Sequence, residues 1–165
     1  MRIRPSDLGQ TILPPRLSPE TGFIEDAHPP IELEMMEALQ DFLMVAYDKK
    51  GLILEALPTS NVYIARLKNY MEHPIFRWTA PQSNWLEDGA RFNRFGLRRG
   101  ALRVCVSTDD PAYMPTTLRT EFALLREAAV ALGVGRTDAE KWVEKLRLFG
   151  LQEFARKHRP VWIKK

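Results

Sequence analysis

Two polar clusters carry the side chains in this sequence that could do chemistry. Ser107-Thr108-Asp109-Asp110-Pro111 follows the apolar run Leu102-Arg103-Val104-Cys105-Val106, and Pro58-Thr59-Ser60-Asn61 follows Leu52-Ile53-Leu54-Glu55-Ala56-Leu57. Short, almost wholly apolar runs are how parallel strands covered on both faces read. A parallel strand delivers the residues at its C-terminal end to the functional face of an α/β sheet or barrel. Two polar clusters at corresponding strand ends therefore make a candidate site, with hydroxyls and an amide on one and adjacent carboxylates on the other. Asp109 and Asp110 read either as a catalytic pair or, given how Asp and Pro populate turns, as a turn or helix cap. The Ser-Asn segment has the same plain alternative.

The remaining reactive side chains are sparse. The three histidines, His28, His73 and His158, show no metal-ligand spacing and read as surface or structural residues. The single cysteine, Cys105, excludes an internal disulfide and reads as a small buried hydrophobe within its apolar run. Arg91, Arg94, Arg98, Arg99 and Arg103 interleave with Phe92 and Phe95, a pattern that suits phosphates and stacked bases, or equally a helix face with core-facing aromatics.

The elements that must position these groups follow from periodicity. Residues 1–30 hold six of the twelve prolines and read as a Pro-rich arm or linker. A helix is predicted just after Pro30, with Met35, Leu39, Phe42, Leu43 and Ala46 on one apolar face and Gly51 as its stop. The first strand follows, then Pro58-Thr59-Ser60-Asn61 as a loop and a short helix over 64–71. Residues 76–100 read as a structured loop with a short helix near 90–95. After the second strand, a helix is predicted from Thr117 to about Leu132. Another begins in the capping box Thr137-Asp138-Ala139-Glu140, and a last short one covers 151–157. Strand–helix alternation argues for a parallel sheet, yet two parallel strands do not make a stable sheet alone. Either the domain over 31–165 holds further strands that this pattern does not reveal, or it is a piece of a larger sheet.

Composition bounds the function. The chain has 165 residues, enough for one domain, with 45% apolar and 27% charged residues. Its net charge of +3 is a small surplus and not the clustered charge that non-specific nucleic-acid binding needs. No apolar stretch reaches the length of about 18 residues that a membrane span needs, and Met1-Arg2-Ile3-Arg4-Pro5 has no signal-peptide core. A soluble, cytoplasmic protein is expected.

Ser107-Thr108-Asp109-Asp110-Pro111, followed by Thr116-Thr117-Leu118 and Glu121-Phe122, resembles the eighth-strand motif of the metal-dependent adenosine/AMP deaminase family. Pro58-Thr59-Ser60-Asn61, then Glu72-His73-Pro74-Ile75, is similar to that family's seventh-strand loop and the segment after it. The resemblance covers about residues 31–158. It implies the C-terminal part of a (β/α)8 TIM barrel, in an enzyme of purine metabolism that hydrolyses the 6-amino group of adenosine or AMP through one zinc-activated water. By the same match, Asp109 is the carboxylate zinc ligand facing the metal-bound water, Asp110 contacts the imidazole side of the purine, and Ser60 and Asn61 line the rim or brace the strand ends.

The departures from that pattern are as concrete. The family takes its other metal ligands from a His-x-His pair on the first strand and a His on the fifth. Between those strands a Glu donates a proton to the ring, and a His on the sixth strand assists the water. None of His28, His73 and His158 lies in such a context, and residues 79–93 form a longer connection than the family usually has. The resemblance therefore implies part of a deaminase, inactive as an isolated chain. Zinc would be held only in a completed site, with the missing residues supplied by a complementing N-terminal half or another copy. The alternatives are a non-catalytic remnant or interaction module, and a weak nucleic-acid-binding module through Arg91–Arg103.

Overall fold

A computed structural model describes residues 16–17, 24–25, 29–65, 67–98, 100–110 and 112–158. The chain divides into two compact units, Met1–Gln40 and Asp41–Lys165. In the first, β1 (Arg16–Leu17) pairs antiparallel with β2 (Ile24–Glu25). The rest of the expected Pro-rich arm over 1–30, His28 included, lies outside the described residues, apart from Pro29 and Pro30 at the start of the next helix.

That helix, α1, spans Pro30–Lys49. Proline suits a first helical position because its missing N–H would have no intrahelical partner there. The expected apolar face is not a core face. Leu39 is 53% and Phe42 63% exposed and Leu43 is also exposed, while the residues α1 buries are Asp41 and Met44. Asp41 is drawn inward by Arg77, whose Nη2 donates to Asp41 Oδ1 at 2.7 Å.

The second unit holds a two-stranded parallel sheet, β3 (Leu54–Ala56) beside β4 (Val104–Val106), in the register Leu54↔Val104, Glu55↔Cys105 and Ala56↔Val106. Helix α2 (Pro58–Ile64) follows β3 directly, so the segment read as a loop is a helix. The helix expected over 64–71 is a turn and a single 3-10 turn at Tyr70–Glu72. Residues 75–98 form a short helix α3 (Ile75–Trp78), a 3-10 turn at Ser83–Leu86, and a chain of turns where a helix near 90–95 was expected. Asn93 organises those turns: its Nδ2 donates to Leu86 O and its Oδ1 accepts from Arg98 N.

Helix α4 (Leu118–Ala131) is capped by Thr117, whose side chain accepts from Thr120 N. Helix α5 (Arg136–Lys157) starts one residue after Gly135, whose carbonyl already accepts from Ala139 N. Thr137 thus lies inside the first turn and cannot cap it, and the helix runs unbroken through Gly150 instead of ending before a separate helix at 151–157. The core lies between β4, α4 and α5. Ala56, Val104, Leu125, Ala129, Ala139 and Leu146 are buried there, and Phe76 stacks on Trp142 at 5.3 Å. Cys105 is half-buried, short of the expected full burial; burial raises its thiol, with Glu153 and Glu55 adding to the rise. The described structure is mixed α/β, mostly helical, with two parallel strands. None of its described helices is long and apolar enough to cross a membrane.

Candidate functional site

The parallel pairing sets both polar clusters at one end of the sheet. The ladder continues past β4 through Ser107 N, which donates to Ala56 O at 2.9 Å, so the chain leaves both strands side by side. Across that end Ser60 Oγ donates to Asp109 Oδ2 at 2.7 Å. A hydroxyl donating to a carboxylate is a short, strong contact, and it holds one carboxylate oxygen in place. Asp109 sits at φ 64, the left-handed region, and is alone among the described non-glycine residues in doing so. Asp tolerates that region better than most residues but at a cost, and such positions concentrate where a side chain must be aimed.

Asp110 goes elsewhere. It is exposed, its Oδ1 accepts from Ala112 N at 2.9 Å, and its carbonyl accepts from Tyr113 N and Met114 N. This is the Asx-turn geometry that Asp adopts at turns. The structure places Asp110 beside Asp109 but gives it a turn-forming contact and no contact with Ser60 or Asn61.

Two buried groups, Glu121 and His73, and the half-buried Asn61 anchor α2. Leu57 N donates to Asn61 Oδ1 at 3.3 Å, and Thr59 N donates to Glu121 Oε2 at 3.0 Å. His73 Nδ1 accepts from Ile75 N at 3.1 Å, so Nε2 carries the ring proton and donates it to Asn61 Oδ1 at 2.8 Å. Burial lowers the His73 pKa to about 4, which keeps the ring neutral. Asn61 is therefore an inward brace, and His73 has no free nitrogen for a metal. Glu121 belongs to the Glu121-Phe122 pair after β4, and nothing in the sequence marks it as a buried anchor. A glutamate in the first turn of a helix normally complements the helix dipole from the surface, and here it is fully buried.

The other sequence candidates are accounted for. His158 is exposed and stacks on Phe154 at 4.8 Å. Arg98 is 4% exposed, and its guanidinium donates to the carbonyls of Arg77, Trp78, Phe92 and Gly100, which ties the 77–100 segment together. Arg103 Nη2 lies 3.6 Å from Asp48. Arg91 stacks over Trp85 and Phe92 at 5.0 and 5.1 Å. The interleaved basic and aromatic residues are thus a folded turn cluster, with Arg98 turned inward. Arg99 lies outside the described residues. A cleft of about 900 Å³ opens between residues 79–101 and α5, and none of Ser60, Asn61, Asp109 and Asp110 lines it.

Zinc needs three or more protein ligands for a stable site. Among the described residues no group of three His, Cys, Asp or Glu side chains is placed to hold a metal. Asp109 is a suitable donor with one oxygen braced, but the residues present do not complete a zinc site.

No family model matches the chain, and no solved structure matches it. The chain is similar to an adenine deaminase of Rhizobium etli, 28% identical over 135 residues, which is 82% of this chain and 30% of that protein. The likeness is a distant one to a deaminase, and the chain spans less than a third of its length.

Proposed function

We propose that this chain is part of a barrel-type deaminase acting on the 6-amino group of a purine, and that it contributes Asp109, braced by Ser60, to a site completed by another polypeptide. The observation that carries this reading is the Ser60–Asp109 contact at 2.7 Å across the shared end of two parallel strands. That is where an α/β barrel assembles its catalytic groups. The similarity to an adenine deaminase supports the reaction class. Partial coverage of that relative and, among the described residues, a parallel sheet of two strands support incompleteness. Adenine, adenosine and AMP share the 6-aminopurine, so that ring defines the substrate class. In this reading zinc is shared with histidines from the complementing part, and this chain's role is to present one fixed carboxylate oxygen.

The test is co-expression with a polypeptide carrying a His-x-His pair from the neighbouring reading frame. Zinc content and deamination of adenine, adenosine and AMP are then measured. The chain alone should hold no stoichiometric zinc and show no turnover. The pair should show both, and Asp109→Asn should reduce both to background while the chain stays folded, because the amide lacks the charge that holds the metal. Retention of zinc and activity by Asp109→Asn overturns the assignment.

A second reading, a non-catalytic interaction module, is favoured by the apolar stripe of α1, exposed at Leu39, Phe42 and Leu43. It predicts partner binding with no turnover in any combination.

A further inference from the structure

We infer that Glu121 is the positioning residue that sets the Ser60–Asp109 contact, acting as a double hydrogen-bond acceptor that holds the two strand-end segments in register. The inference rests on the reading that Asp109 is the functional carboxylate. Glu121 lies in the first turn of α4 and is 0% exposed. Its Oε2 accepts from Thr59 N at 3.0 Å, and its Oε1 accepts from Thr116 Oγ1. Thr59 immediately precedes Ser60, and its N–H is one of those at the start of α2 that no helix carbonyl reaches. Thr116 ends the segment that carries Asp109 out of β4. One carboxylate thus grips the backbone of the first segment and the side chain of the second.

The geometry excludes the other uses of a buried glutamate. Both oxygens already face donors, so the side chain is satisfied where it stands. Neither oxygen contacts Asp109 or Asp110. Without this grip the start of α2 keeps the Leu57–Asn61 contact, but Thr59 N–H is left buried without an acceptor. The cheapest relief is for the first turn to move toward water, which takes Ser60 away from Asp109.

The experiment uses the full chain without zinc or substrate, and reads the ¹³C resonance of the Asp109 side-chain carboxyl. Ser60→Ala gives the shift of an unbraced Asp109. Glu121→Leu, which keeps volume and removes both acceptors, should move the resonance to the Ser60→Ala position and leave the Trp142 and Leu146 signals in place. Glu121→Gln should keep the wild-type shift, since its oxygen still accepts from Thr59 N–H and its amide can donate to Thr116 Oγ1. Thr116→Val, which keeps shape and removes one donor, should move the resonance part of the way and serves if Glu121→Leu does not fold. An unmoved resonance in Glu121→Leu or Thr116→Val overturns the proposal, and so does a Glu121→Gln shift as large as that of Ser60→Ala. These readings need no turnover, so they stand or fall apart from the deaminase assignment.

Discussion

His73 shows what a single buried side chain contributes at this site. With Nδ1 accepting from Ile75 N and Nε2 donating to Asn61 Oδ1, only the neutral ring fits, because protonated Nδ1 would face another donor. Its pKa falls from 6.5 to about 4 on burial. A depressed folded-state value means that the unfolded chain takes up the proton first. The stability His73 contributes is therefore complete above about pH 6.5 and is lost as pH falls toward about 4, by on the order of 2 kcal/mol between about pH 7.5 and about pH 5. Urea unfolding at those two pH values should show this loss in the wild type and a smaller one in His73→Gln, which keeps a donor for Asn61 and does not titrate. Equal pH dependence in both proteins would remove His73 as the cause. At this scale the sequence makes Ser60 and Asp109 legible, since each follows an apolar strand. Glu121 is not legible, because its partner Thr59 is 62 positions away and a local reading sees only a helix-start acid.

The elements divide along the same line. Strands β3 and β4 and helix α4 are legible from apolar runs and a threonine cap, and their parallel pairing follows from the alternation of strand and helix. Helix α2 is hidden because Pro-Thr-Ser-Asn has the composition of a turn; its start is completed locally by Asn61 and from a distance by Glu121, a tertiary partner that propensity does not contain. The end of α5 is misjudged for the opposite reason. A separate last helix is expected over 151–157, yet Trp142 and Leu146 already anchor the helix and the chain continues helical to Lys157. A Cβ at Gly150 would meet nothing within 4 Å and its backbone is not left-handed. Gly150→Ala should therefore raise unfolding free energy by about 0.5–1 kcal/mol, read from the midpoint of urea unfolding. A loss of stability would mean that the helix needs the glycine's freedom there.

For the molecule as a whole, the uncovered side of α1 and the sheet of two strands make the same point. Phe42 is 63% exposed on a helix whose buried residues are Asp41 and Met44. Periodicity makes the apolar stripe legible, but it cannot say what covers it. Contiguous exposed apolar surface tends to be covered by association. Sedimentation should show the wild-type chain associating with rising concentration and Phe42→Glu remaining monomeric. The substitution should change unfolding free energy by no more than about 0.5 kcal/mol, as for other surface positions. A Phe42→Glu chain that still associates would place the contact elsewhere.

The β3–β4 register also governs the order in which the molecule can assemble. Its paired residues lie roughly fifty positions apart, whereas α4 and α5 are separated by a connection of only a few residues. Closing the longer loop costs roughly 2 kcal/mol more in chain entropy. Helix pairing is thus favoured early and the ladder late, and Ser60 meets Asp109 only once the ladder has closed. A chain halted before that step would keep most of its helical circular-dichroism signal while lacking the Ser60–Asp109 contact, so full helical content does not certify that the strand ends have met.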